Sequence, residues 1–188
     1  MRSTTPHAAT AASAVLEDER LASVRCSIVS LAHIHHSQPE IVLASNGPVV
    51  CFLHRGEPAV AQITLLRSQL HATLRSHPDG IGLLFIIAES STLPDSDVRT
   101  AVAATFKELG PKIVLLGAAM EGVGFGPAAK RSVFTLVSSS VFGAVRMKVL
   151  GSAAEACDWM DTNATKAGLK SPSAIELIAL VEKAKATK

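Results

Sequence analysis

The run Ile81-Gly-Leu-Leu-Phe-Ile-Ile-Ala88 contains no charged or strongly polar residue. A strand with one wet face alternates apolar and polar residues, so an unbroken run of this length suits a strand covered on both faces. Strands of that kind belong to parallel sheets packed between helices. On its N-terminal side, His77-Pro-Asp-Gly80 separates the run from a helical pattern over Glu57–Ser76. There Val60, Ile63, Leu66, Leu70 and Leu74 fall on one stripe. On its C-terminal side, Val98, Val102, Phe106 and Leu109 mark a second helix, which Gly110-Pro111 stops. A second apolar run, Ile113–Ala119, comes next and predicts another buried strand.

Further out, Glu40–Ser45 and Val49–His54 are short strand-like runs joined at Asn46-Gly47, a strong hairpin signal. Pro48 cannot donate to a ladder, which points to a sheet edge there. A third helix is expected from about Pro127, with Ala129, Val133, Leu136 and Val137 inward. Val145–Leu150 reads as a final strand, and Ser152-Ala-Ala-Glu155 as a capping box opening a helix through Met160. On that helix Trp159 shares a face with Ala156, Cys157 and Met160, which gives it a packing role. A last helix, about Ser173–Lys185, carries Ile175, Ile178 and Val181 at helical spacing, beyond a polar linker. The order predicts an α/β fold: a mixed, mostly parallel sheet of about five strands with helices packed on it, plus an extra C-terminal helix. Residues 1–38 are read as a flexible arm, with one short strand near Cys26–Leu31, residues 39–168 as the α/β domain, and 169–188 as a loosely docked helix.

With 188 residues the chain suits one well-cored domain with tails. Apolar residues make up 48% and charged ones 18%, which is globular composition. A net charge of +2 without a long basic run gives no electrostatic case for nucleic acid. Aromatic content of 4% with no Tyr argues against base-stacking platforms. The three cysteines are far apart and show no metal-ligand spacing, which fits buried thiols in a reducing compartment. The beginning of the chain makes a poor signal peptide, and no apolar stretch is long enough to span a bilayer. A cytoplasmic protein with no membrane span, no metal and no cofactor is the expectation; its oligomeric state is not readable.

The strand–helix order from roughly Glu40 to Met160 resembles the STAS-type fold of anti-sigma-factor antagonists. Members of that family close on a strand, a turn and a helix of the form S-x-E-E-A-L-x-W-L, and Ser152, Glu155, Ala156, Trp159 and Met160 stand in those places. "HPDGIGLL" and "GVGFGPAAKRSVFTLV" are similar to a group of uncharacterised bacterial STAS-like proteins. The resemblance implies a regulatory, non-enzymatic module that binds a protein partner or a small ligand. Regulatory STAS domains are also phosphorylated on a serine at a helix start, in an Asp-Ser-Ser-Gly type loop. This chain has Pro94-Asp95-Ser96-Asp97-Val98 there, so Ser96 is the equivalent, with Asp97 in place of a small residue and no glycine. Two flanking carboxylates would repel a phosphoryl group, and Asp95 or Ser96 also suits an ordinary helix N-cap.

The alternative is a nucleotide- or phosphate-binding protein that uses the loop Gly122-Val-Gly-Phe-Gly126. Backbone N–H groups at a helix start favour an anion, and Lys130 and Arg131 follow one turn later. Pro127 removes one of those donors, and neither the Rossmann nor the Walker spacing is met. Glu89 and Glu121 fall at the carboxyl ends of strands, where open α/β sheets bind ligands. The candidate ligand-binding set is therefore Glu89, Glu121, Gly122, Gly124, Phe125, Lys130 and Arg131, with Ser96 as candidate phosphorylation site and no catalytic constellation. His33, His35 and His36 lack a third-party ligand in the sequence and read as solvated histidines.

Overall fold

The computed structural model describes residues 32–122 and 145–187. Six strands form one sheet in the order β1-β2-β3-β4-β5-β6, so every strand lies beside its sequence neighbour. They are β1 (His33–Ser37), β2 (Ile41–Asn46), β3 (Val49–His54), β4 (Ile81–Ile87), β5 (Ile113–Met120) and β6 (Arg146–Leu150). The described α-helices are α1 (Val60–Ser76), α2 (Ser96–Leu109), α3 (Ala153–Ala164) and α4 (Ala174–Ala186). β1, β2 and β3 pair antiparallel, and β3 through β6 pair parallel. The sheet is thus mixed and mostly parallel, with one strand more than the sequence suggests.

The apolar runs behave as the two-faced burial rule requires. Ile41, Leu43, Val50, Phe52, Ile81, Leu83 and Leu116 face a layer that holds Leu66 and Leu70 of α1 with Phe106 and Leu109 of α2. Their alternate neighbours Val42, Ala44, Cys51, Leu53, Leu84, Ile86 and Leu115 face α3 and α4. At full burial each Val, Leu, Ile or Phe among them contributes about 1.5–3 kcal/mol. α3 comes close to the sheet: a Cβ at Gly117 would lie 2.9 Å from Met160 Cγ, and one at Gly82 would lie 3.0 Å from Met160 Cε. Glycine at these two strand positions is what lets Met160 seat fully buried.

Several elements depart from the sequence reading for local reasons. Pro48 does not mark an edge, because the hairpin loop is Gly47-Pro48 and β3 lies inside the sheet. Gly47, at φ 54°, supplies the positive φ that such a two-residue turn needs at its first position. α1 starts at Val60 rather than Glu57, as Pro58 disfavours helix at the residue before it. The arm boundary at 38 runs through structure, since His33–Ser37 pairs with β2. α4 turns Leu177, Leu180, Val181 and Ala184 inward and leaves Ile175 68% exposed, a different stripe from the one expected. The third helix expected from Pro127 and the strand expected near Cys26–Leu31 lie outside the described residues.

Candidate functional site

Three parallel strands deliver their carboxyl ends to one edge of the sheet: β3 at His54, β4 at Ile87 and β5 at Met120. The register pairs Ile87 with Met120, so Glu121 stands beside Ala88, with Glu89 one residue further out. Glu121 N–H donates to Ile87 O at 2.9 Å, extending the ladder by one bond. Its carboxylate accepts from Lys185 Nζ of α4 at 2.7 Å. Burial acts against the Lys185 charge, but the hydrogen bond and charge of Glu121 outweigh it and raise the ammonium's pKa. Gly122 follows at φ 114°, a conformation that favours glycine. Glu89 is exposed. The other members of the candidate set, Gly124, Phe125, Lys130 and Arg131, lie outside the described residues.

Ser96 is the first residue of α2 and is exposed. Asp95 is the N-cap, its Oδ1 accepting Val98 N–H at 2.8 Å. The Ser96 hydroxyl donates to Asp97 Oδ1 at 3.4 Å, so both carboxylates of the sequence do flank it. Leu93, just upstream, is 57% exposed.

The edge also carries two constellations that the sequence reading missed. In the first, His54, Gln62 and Ser91 are all buried. His54 Nε2 lies 3.2 Å from Gln62 Oε1, which also accepts Ala59 N–H at 3.0 Å. Because Oε1 can only accept, His54 carries its proton on Nε2 and presents a lone pair at Nδ1. The Ser91 hydroxyl, 3.0 Å from Nδ1 and 3.0 Å from His54 O, is shared between them. Burial lowers the His54 pKa, opposed in part by the Gln62 bond and by Glu57 and Glu40, so the ring is neutral at pH 7. A hydroxyl, an imidazole and an orienting acceptor are the parts of an activated nucleophile. Here Ser91 is 2% exposed, which closes it to a substrate, and the cluster instead ties two loops to each other. Ala88 N–H to His54 O, Thr92 N–H to Gly56 O and Ser90 Oγ to Arg55 O complete that zipper, at 2.9, 3.0 and 2.6 Å.

In the second, Arg55 points to the opposite face and caps the C-terminus of α4. Its guanidinium donates to Ala184 O, Lys185 O and Thr187 O at 3.0, 2.8 and 3.1 Å. Ala184 O also accepts the Thr187 N–H at 3.3 Å, so the guanidinium reinforces that cap, and the cation meets the negative end of the helix dipole. A polar residue closing an otherwise apolar strand, as in Val-Val-Cys-Phe-Leu-His54-Arg55, is the signal that could have pointed to both clusters.

Among the described residues no three His, Cys, Asp or Glu side chains converge on a metal-binding geometry. Cys51 and Cys157 are buried between sheet and α3–α4, and burial pushes both thiols up, Cys157 to about 12. Thiols in that state are poor nucleophiles. No described helix is long and apolar enough to cross a membrane. No protein-family model matches the chain, and no curated protein matches it.

Proposed function

We infer that the chain is a non-enzymatic, STAS-like regulatory module that works by binding a protein partner, with the start of α2 as its contact surface. The observation that carries this reading is the state of the sheet's carboxyl edge. Open α/β sheets bind nucleotides in the crevice where neighbouring strands send their connections to opposite faces. Here α1 and α2 both lie on the same face of β3, β4 and β5, so those strands open no such crevice between them. The gap between β3 and β4 is laced shut by the His54–Ser91 zipper. The ends on the other face are held by Arg55 and Lys185 against α4. Among the described residues the approach to α2 stays open, where exposed Leu93 and Ser96 sit among the carboxylates of Asp95 and Asp97. Contact surfaces combine an apolar centre with a polar rim, and Leu93 with Asp95, Ser96 and Asp97 can supply both.

The test compares wild type with Leu93→Asp. Tagged full-length protein is used to capture a partner from native lysate, and the captured protein is then titrated in purified form. Leu93→Asp is expected to weaken that purified complex by tenfold or more, about 1.4 kcal/mol, while melting at the wild-type temperature. Equal affinity for both proteins would remove the contact surface. In parallel, ATP, GTP, NAD and FMN at millimolar concentration should leave the melting temperature unchanged. A phosphate ligand at 100 times its Kd would add about 2.7 kcal/mol, a rise of roughly 5–10 °C. Such a rise, lost on Lys130→Ala with Arg131→Ala, would establish the phosphate-binding alternative.

A further inference from the structure

β1 lies at the edge of the sheet and carries three of the chain's seven histidines. Regular alternation would put His36 on the side opposite His33 and His35. The ladder is not regular: His33 pairs with Ser45 and Ile34 with Ala44, but His36 pairs with Leu43. His35 is the extra residue of a β-bulge, which bends a strand and re-aims its side chains. Ser45 and Leu43 lie two apart on β2 and share the α1–α2 side, so the bulge turns His33, His35 and His36 to that same side. Ile34 alone packs into the opposite layer. The same irregularity recurs at Val114 of β5, where Val114 and Leu115 both face the α3–α4 layer.

We propose that His33 and His35 form a two-imidazole chelate for a first-row divalent ion of the Cu2+ or Zn2+ type. Both side chains are exposed, and their ring centroids are 6.5 Å apart with the planes tilted by 35°. With His35 held in place, a χ rotation of the exposed His33 side chain brings one of its nitrogens toward the free side of the His35 ring. His35 has a supporting contact as well: its Nε2 lies 2.7 Å from Ser45 Oγ, which fixes the ring and leaves Nδ1 for the metal. A hydrogen bond on the second ring nitrogen is the usual way a ligating imidazole is oriented. His36 stays out of the chelate, since its Nε2 is buried and has no hydrogen-bond partner. Imidazole pairs suit Cu2+ and Zn2+, with Cu2+ held the more tightly. Water fills the remaining positions, and the site is therefore one for reversible uptake.

The full chain is titrated with CuCl2 at pH 7.5, followed by calorimetry and by the nitrogen hyperfine pattern in the copper EPR spectrum. One tight equivalent with two imidazole nitrogens is expected. His33→Asn and His35→Asn should each drop the count to one nitrogen and weaken binding roughly 100-fold, the low end of the gain from linking two weak contacts. His77→Asn, distant in sequence and outside β1, should leave both readouts unchanged. Two-nitrogen binding that survives the double variant His33→Asn, His35→Asn would overturn the proposal, as would a wild-type spectrum with a single nitrogen. If His35→Asn also lowers the melting temperature through the lost Ser45 bond, His33→Asn decides the matter alone.

Discussion

His54 shows what one polar residue costs and does at the end of a buried strand. Its ring stacks near Phe52, with centroids 6.0 Å apart, and both nitrogens are engaged. Burial lowers its pKa in the folded protein, whereas the unfolded chain titrates it near the ordinary value. As pH falls through that ordinary value the unfolded chain takes up a proton that the native ring refuses, so stability falls. The loss levels off once pH is below the folded pKa, and above the ordinary value the group has no pH effect. The slope from a single proton can reach about 1.4 kcal/mol per pH unit. Between pH 7.5 and 5 the melting temperature should therefore drop, and His54→Asn should drop less steeply while starting lower. His35, lowered for the same first reason, acts with the same sign, so the variant reduces the slope without abolishing it. A variant as steep as wild type would show that His54 does not titrate on unfolding.

At the scale of the element, α4 shows what its sequence could and could not reveal. Its bounds were legible from the helical spacing over about Ser173–Lys185, and the structure closes its start with a Ser173–Glu176 capping box. Its inward stripe was not. Ile175, Leu177, Ile178, Leu180 and Val181 offer two overlapping apolar faces, and only the sheet chooses between them. Nor did the pattern show how the helix ends, with Arg55 taking three carbonyls from a position more than 120 residues away in sequence. β1 escaped for a related reason, since a bulge destroys the alternation by which strands are read. The long apolar strands were legible because burial on both faces leaves only one pattern. Arg55→Ala should leave Lys185 O and Thr187 O to water, with Ala184 O keeping the Thr187 N–H, and cost about 2 kcal/mol, as hydrogen bonds to a charged group do. For a domain of this size that is a fall of roughly 4–8 °C in melting temperature. Arg55→Lys should recover only part, because an ammonium cannot match the guanidinium's fork. A variant melting with wild type would make the cap ornamental.

At the scale of the whole molecule, the sheet is finished on its two faces by different parts of the chain. α1 and α2 arise inside the strand order and cover one face as the crossovers are made. Among the described residues the other face is covered by α3 and α4, which follow β6. Along the sheet, α3 lies over β5 and β6 and α4 over β2 and β3. α4 is therefore a structural layer, and the candidate site at Glu121 depends on it through Lys185. Ending the chain after Ser171 would uncover Val42, Ala44, Val49 and Leu53 together, all within 1% of full burial in the intact protein. Apolar surface of that extent cannot be left to water: β2, although antiparallel, is buried at every position, and β3 opens the parallel part of the sheet, which has no wet face. The shortened chain should lose its cooperative melt, bind the dye ANS and aggregate, while keeping far-UV helix and strand signals, as compact states without fixed packing do. A truncated protein that melts sharply within a few degrees of wild type would show that α1, α2 and α3 suffice. In that case α4 would be an appendage, and its hold on Glu121 would be incidental.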